Sequence, residues 1–272
     1  MDDIKLELIY KTFLQIQNEN PENYENLKLD NRKRLYFDDR GNTFDPKSRF
    51  FSYLIALRDF GGFPTVLPDG KYHRVNSKQI YHGFREYEHG AQLLTDFNYH
   101  VGIFGAQGTF FTECKDEAVT YTWKYCEDKD QTVADKEKIL RAKIVSDNSC
   151  TREDIMWIRQ VLENMEFDKI ENEKDRQKMF ELYEFCFKQK SKIVFDEDYD
   201  RMNRICFYNA LLGHDYTLAV FLGYDNMICY DDQRDYNHYV LFNRAKMIVP
   251  ASDVKKFCDN SKNYIGFEYI SE

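Results

Sequence analysis

The chain has 272 residues, of which 43% are hydrophobic and 16% aromatic; that is ample material for a core and excludes global disorder. Its 47 acidic and 38 basic side chains leave a net charge of −9, so no global attraction to phosphate backbones exists and general nucleic-acid binding is disfavoured. Twelve Gly and five Pro leave little for a long linker, and no stretch approaches the roughly 18 apolar residues of a membrane-spanning helix.

The N-terminus, Met1-Asp2-Asp3-Ile4-Lys5, lacks the basic segment and apolar run of a signal peptide, so a cytoplasmic location, or delivery into a host cytosol, is expected. Cysteines at 114, 126, 150, 186, 206, 229 and 258 form no Cys-x-x-Cys pair and no Cys/His cluster. They read as mostly buried free thiols in a reducing compartment, with no metal site expected.

In chain order, Ile4, Leu6, Leu8, Ile9, Phe13, Leu14 and Ile16 lie on one face of a helix over 2–17. Residues 18–34 are polar and read as loop or short helix, and 47–60 as a second helix stopped by Gly61-Gly62. Pro64 to Leu67 reads as a strand closed by the turn Pro68-Asp69-Gly70. Strands follow at Ile80–Phe84, within Gly102–Thr112 and at Ile139–Val145; helices follow at Glu86–Phe97 and Lys115–Lys124.

Residues 152–189 read as two helices joined by a mixed-charge seam of the kind that usually forms a solvated face, Tyr199–Leu212 as a further helix, and Leu218–Tyr224 as a short helix or turn. Strands at Asn226–Tyr230, from Tyr239 and from Lys246 complete the pattern. It is an α+β arrangement: an N-terminal helical cap over 1–60 and one compact core over 61–272.

Three segments carry candidate chemistry. They are Tyr81-His82-Gly83; Gly105 to Thr112 with Ala118 to Tyr121; and Gly223-Tyr224-Asp225 with Asn237-His238-Tyr239 and Asn243-Arg244. Singly, each has an ordinary structural explanation. A glycine-rich loop is usually a turn, a lone His a satisfied core imidazole, and a Phe-Phe pair core packing.

In order and spacing the set resembles the ADP-ribosyltransferase superfamily, in its diphtheria-toxin and poly-ADP-ribose-polymerase-like branch. Tyr81-His82-Gly83 matches the family's His-Gly strand, and Gly108-Thr109-Phe110-Phe111 its Gly-x-Gly-Ile-Tyr-Phe strand, with Phe110 at the tyrosine position. Tyr121, eleven residues after Phe110, falls at the nicotinamide-stacking tyrosine of the Ala-x-x-Tyr helix. Asn237-His238-Tyr239 matches the last strand, with His238 where the family carries its catalytic glutamate. Gly62 to Leu67 and Gly223 to Ile228 are similar to bacterial and phage members, so a microbial toxin, effector or phage-related modifier is the expected setting.

The resemblance implies a split, mixed or antiparallel sheet with surrounding helices, and NAD as substrate without a metal. By it, the Gly83 backbone reads the nicotinamide amide, His82 holds a ribose hydroxyl, and Tyr121 and Phe110 sandwich the ring. Tyr81, Phe111 and Asn237 complete the binding set, and the catalytic set is His82, Phe110, His238 and Glu113. It implies a mono-ADP-ribosyltransferase acting on a macromolecule, a protein rather than a nucleic acid. NAD hydrolysis and a silent nucleotide- or protein-binding module stand beside it.

His238 supplies no fixed negative charge for the oxocarbenium-like transition state. Either its imidazole works by a modified route, or another carboxylate substitutes, or turnover is weak or lost. Glu113 is the nearest alternative by sequence, with Asp225 and Asp235 also open.

Overall fold

The computed structural model describes residues 3–18, 28–30, 35–37, 43–44, 50–51, 53–55, 63–95, 109–122, 124–126, 131–188 and 197–261. The glycines expected to punctuate the chain at 61–62, 102, 105 and 108 lie outside the described residues. The chain divides into two units: Met1–Leu54 with Val101–Gln107 and Cys150–Tyr224, and Ile55–His100 with Gly108–Ser149 and Asp225–Glu272. Residues 150–224 thus group with the N-terminal segment.

The first unit is largely helical. Its helices are α1 (Asp3–Asn18), then, past the second unit's opening elements, α5 (Arg152–Glu163), α6 (Glu173–Tyr183), α7 (Glu197–Leu212) and α8 (Asp215–Leu222). Three short strands, β1 (Lys28–Asp30), β2 (Leu35–Phe37) and β3 (Thr43–Phe44), form an antiparallel sheet. Tyr10, Phe13, Phe50, Phe185 and Phe207 meet edge-on or tilted, and the Arg204 guanidinium lies 4.3 Å from the Phe185 ring centroid. Asp200 accepts from Arg204 at 2.7 Å, so this buried cation is paired.

The second unit is built on strands β4 (Thr65–Leu67), β5 (Ile80–Gly83), β6 (Thr109–Thr112), β9 (Ile139–Ile144), β11 (Asn226–Asp231), β12 (Tyr236–Leu241) and β13 (Met247–Pro250). With β10 (Ser149–Thr151), where the chain passes between units, they form an eight-stranded open sheet of order β10-β11-β12-β6-β5-β9-β13-β4. From β11 to β13 the pairs are antiparallel, and β13 pairs with β4 in parallel, so the sheet is mixed. Its helices are α2 (Asp69–Tyr72), α3 (Tyr87–Thr95), α4 (Lys115–Thr120) and α9 (Ala251–Asn260). A separate hairpin joins β7 (Lys124–Cys126) to β8 (Gln131–Val133).

Alternation along each strand sends one set of side chains to the core. Ile80, Phe111, Leu140, Ala142, Leu241, Met247 and Val249 meet Leu93 and Leu94 of α3 and Val254 and Phe257 of α9. Each fully buried Val, Leu, Ile, Phe or Met side chain among them contributes roughly 1.5–3 kcal/mol. Helix α9 was not expected from the sequence; its Val254 and Phe257 are a helical step apart, and its buried Asp253 accepts from Arg141 at 2.5 Å. The expected turn at Pro68-Asp69-Gly70 instead opens α2, whose Asp69 accepts from Ser252 N at 3.0 Å and whose Tyr72 is fully buried.

Among the described residues no single helix is long and apolar enough to cross a membrane. Among the described residues six cysteines are free: Cys150 and Cys186 are buried, Cys114, Cys229 and Cys258 partly so, and Cys206 is exposed, so burial is less general there than the sequence led us to expect.

Gly90 of α3 faces Phe257 of α9 so closely that an added Cβ would stand 2.3 Å from the ring. Replacing a helical Gly by Ala ordinarily helps, by about 0.4–1 kcal/mol. Gly90→Ala should instead destabilise by about 1–3 kcal/mol, because Phe257 has nowhere to move in a filled core. Gly70→Ala, where a Cβ meets nothing within 4 Å, should be neutral or stabilising. Urea midpoints of the two variants check the opposite signs.

Candidate functional site

Strands β5 and β6 join by a single pair, Tyr81 with Thr112. On either side the ladders are longer: β5 pairs with β9 over Ile80–Gly83, and β6 with β12 over Thr109–Thr112. The register aligns His238, Thr112, Tyr81 and Arg141 across four strands, so these side chains share one face of the sheet. Where β5 and β6 stop pairing, the His82 Nδ1 bonds the Phe110 carbonyl and ties the strands by a side chain.

Beside this parting is a cavity of about 220 Å³. Tyr81, His82 and Gly83 line it from β5, Phe110, Phe111 and Thr112 from β6, Glu117 and Tyr121 from the α4 segment, and His238 from β12. Phe111 is 1% exposed and belongs to the core, whereas Phe110 is 39% and Tyr121 60% exposed. Two accessible aromatic side chains thus line the cavity together with polar Thr112, Glu117 and His238.

Helix α4 is seated by glycine. A Cβ on Gly83 would stand 2.0 Å from the Ala118 carbonyl oxygen, so only glycine permits α4 this close to β5. The helix is short; Tyr121 is its C-cap, with its N–H on the Ala118 carbonyl, and the buried Thr122 accepts from Asp135 N at 3.0 Å. The helix expected over Lys115–Lys124 therefore ends four residues early, and the chain turns into β7.

His82 packs between Phe84, at 4.4 Å between ring centroids, and Phe111, at 5.3 Å. Burial pulls its pKa down to about 4 despite the opposing bond to Phe110. A carbonyl only accepts, so Nδ1 carries the proton, and Nε2 of the neutral ring is an acceptor.

His238 Nε2 lies 2.7 Å from Glu117 Oε2. The same carboxylate takes the Arg234 guanidinium, brought back by the 232–235 turn between β11 and β12, and the hydroxyls of Thr112 and Tyr236. Burial alone raises the Glu117 pKa, but these donors outweigh it and hold the carboxyl below its usual range. A fixed negative charge therefore stands in the cavity wall, next to His238.

Glu113 and Asn237, both expected at the site, do not line the cavity. They face the other side of the strands: Glu113 accepts from Tyr239 at 2.7 Å, from Asn237 Nδ2 at 3.3 Å and from Lys78 at 2.9 Å. Those bonds overcome the effect of burial and keep Glu113 ionised in a structural role. The other open carboxylates are also engaged elsewhere. Asp225 is buried and accepts from Asn243 at 2.8 Å and Ser146 at 2.7 Å, and Asp235 accepts from Tyr230 at 2.6 Å within the β11–β12 turn. Asn243 and Arg244 are likewise buried, Arg244 donating to the Leu93 carbonyl at 3.1 Å.

Glu117 was not singled out from the sequence, and Thr112 only as the end of the Gly105–Thr112 segment. Glu117 had a usable signal, since it precedes Tyr121 by four residues and so shares its helical face. Thr112 is placed only by the cross-strand register. Among the described residues no group of three or more His, Cys, Asp and Glu side chains has the arrangement to hold a metal ion. No family model, curated protein or solved structure matches the chain.

Two predictions follow from this geometry. Gly83→Ala should lower stability by about 1–3 kcal/mol, read by urea denaturation, because the Ala118 carbonyl is backbone and cannot rotate away. The second concerns His82, whose folded pKa lies near 4 against about 6.5 unfolded. Between those values the unfolded chain binds more protons, so stability should fall as pH drops from 6.5 towards 4. His82→Asn keeps a donor for Phe110 and cannot titrate; melting temperatures across that window should decline less for the variant than for the parent.

Proposed function

We propose that the chain is a mono-ADP-ribosyltransferase that takes NAD at this cavity, on an ADP-ribosyltransferase-like sheet. One observation carries the reading: Tyr81-His82-Gly83, Phe110, Tyr121 and His238, nominated by their resemblance to NAD-reading elements, are far apart in the chain and line a single cavity. Its volume is below the roughly 300–1,000 Å³ that encloses a drug-sized molecule, so it suits the nicotinamide end and not the whole dinucleotide.

The residues divide the work. Tyr121 and Phe110 offer aromatic faces to the nicotinamide ring, each worth about 0.5–1.5 kcal/mol beyond burial. The neutral His82 presents Nε2 to a ribose hydroxyl. Gly83 brings backbone close to the ring amide. Breaking the bond between ribose C1′ and nicotinamide builds positive charge on the sugar, and the Glu117–His238 edge places negative charge nearby. The chain's net charge of −9 favours a protein acceptor over nucleic acid.

Incubating the full chain with NAD labelled in its adenylate, together with a cell lysate, tests the reading. Release of nicotinamide with label on protein is the expected result. Free ADP-ribose in place of labelled protein replaces transfer with hydrolysis, and no nicotinamide release sinks the enzymatic reading in favour of a binding module. Tyr121→Ala should raise KM for NAD roughly 2- to 10-fold, the loss of one stacking contact.

A further inference from the structure

We infer that Glu117 and His238 form a carboxylate–imidazole dyad that removes the acceptor's proton, so that the acceptor is a group arriving protonated (a hydroxyl, amide, guanidinium or water) and not a carboxylate. The inference rests on the NAD reading above. It begins from the 2.7 Å contact between His238 Nε2 and Glu117 Oε2. A carboxylate only accepts, so Nε2 bears the proton and the neutral ring keeps its lone pair on Nδ1.

Glu117 has no need of a ligand to satisfy it. Arg234, Thr112 and Tyr236 donate to it beside His238, and its side chain is only 11% exposed, whereas that of His238 is 27% exposed. Glu117 is therefore a positioning residue that acts through the ring. It fixes the tautomer and stabilises the imidazolium, while His238 meets the reactants.

The groups around His238 are consistent with this division. Glu117 comes from α4 and Tyr236, 5.4 Å away edge-on, from its own strand. Arg234 approaches through Glu117 and the Tyr236 hydroxyl, Thr112 and Tyr81 follow in register on β6 and β5, and Cys229 is its partner on β11.

The step balances without a further reagent. The bond from C1′ to the nicotinamide nitrogen breaks, and its electron pair leaves with neutral nicotinamide. The acceptor heteroatom bonds to C1′, and its proton passes to His238 Nδ1. The imidazolium, held by Glu117, then loses that proton to water. A carboxylate acceptor would arrive without a proton, and the dyad would have nothing to do.

The test measures nicotinamide release against pH for the full chain and for Glu117→Gln, Glu117→Asp, His238→Gln and the double variant Glu117→Gln/His238→Gln, with exposed Asp116→Asn as control. NAD binding is followed separately by calorimetry. Glu117→Gln should lower kcat/KM about 10²- to 10⁴-fold with little change in NAD affinity, and shift the acid limb of the profile to lower pH as the imidazolium loses its partner. Glu117→Asp should restore part of the rate, and the double variant should be no worse than the worse single one, because the two act as a unit.

A folded Glu117→Gln within about threefold of the parent overturns the dyad, as do an unmoved acid limb or losses that multiply in the double variant. If Glu117→Gln does not fold, His238→Gln decides by the same limits. If the parent itself neither binds nor cleaves NAD, the NAD reading fails and the dyad with it; parent turnover with an indifferent Glu117 removes the dyad alone.

Discussion

Strands β5 and β6 are neighbours that share one pair, and the opening beyond Tyr81 and Thr112 governs everything around it. A fully paired sheet would carry backbone hydrogen bonds through that space and leave no cavity. Here the backbone requirement is met locally by an imidazole, since His82 reaches the Phe110 carbonyl. The same ring must then be neutral, with Nδ1 protonated, to remain packed between Phe84 and Phe111. One side chain thus ties the strands, completes the core behind them and offers an acceptor atom in front.

The distribution of carboxylates follows from strand alternation. Glu113 continues the line of β6 on the side of Phe111, where Tyr239, Asn237 and Lys78 hold it; Glu117, one helical turn into α4, returns to the side of Thr112 and His238. Proximity along the chain to the Phe-Phe strand favoured Glu113, but the face of the sheet decides. The carboxylate beside His238 is supplied by a different element, the helix α4.

Much of the fold was legible because its signals are local. The helix over 2–17, the Ile80–Gly83 and Ile139–Ile144 strands and the late hairpin appear within a residue or two of where apolar spacing and turn residues place them, although β12 begins earlier, at Tyr236. The β7–β8 hairpin and α9 were not anticipated. The hairpin strands are three residues each, and α9 mixes Lys and Asp with few apolar positions, its helix depending on Phe257 lodging against Gly90 and Asp253 against Arg141. The site was legible as segments but not as partners. His82, Gly83, Phe110, Tyr121 and His238 were nominated, and the sequence could not reveal that Glu117 would meet His238 across a helix and a strand.

The contact between Gly83 and Ala118 also sets the mechanical character of the cavity. With no clearance between the β5 backbone and the α4 carbonyl, that wall is stiff: it cannot contract around a small occupant. Compliance is left to the C-cap of the same short helix, where the Tyr121 ring is 60% exposed and has rotamers to spare. Adaptation to ligands of different girth therefore falls to one aromatic side chain at the rim, while the floor keeps its dimensions.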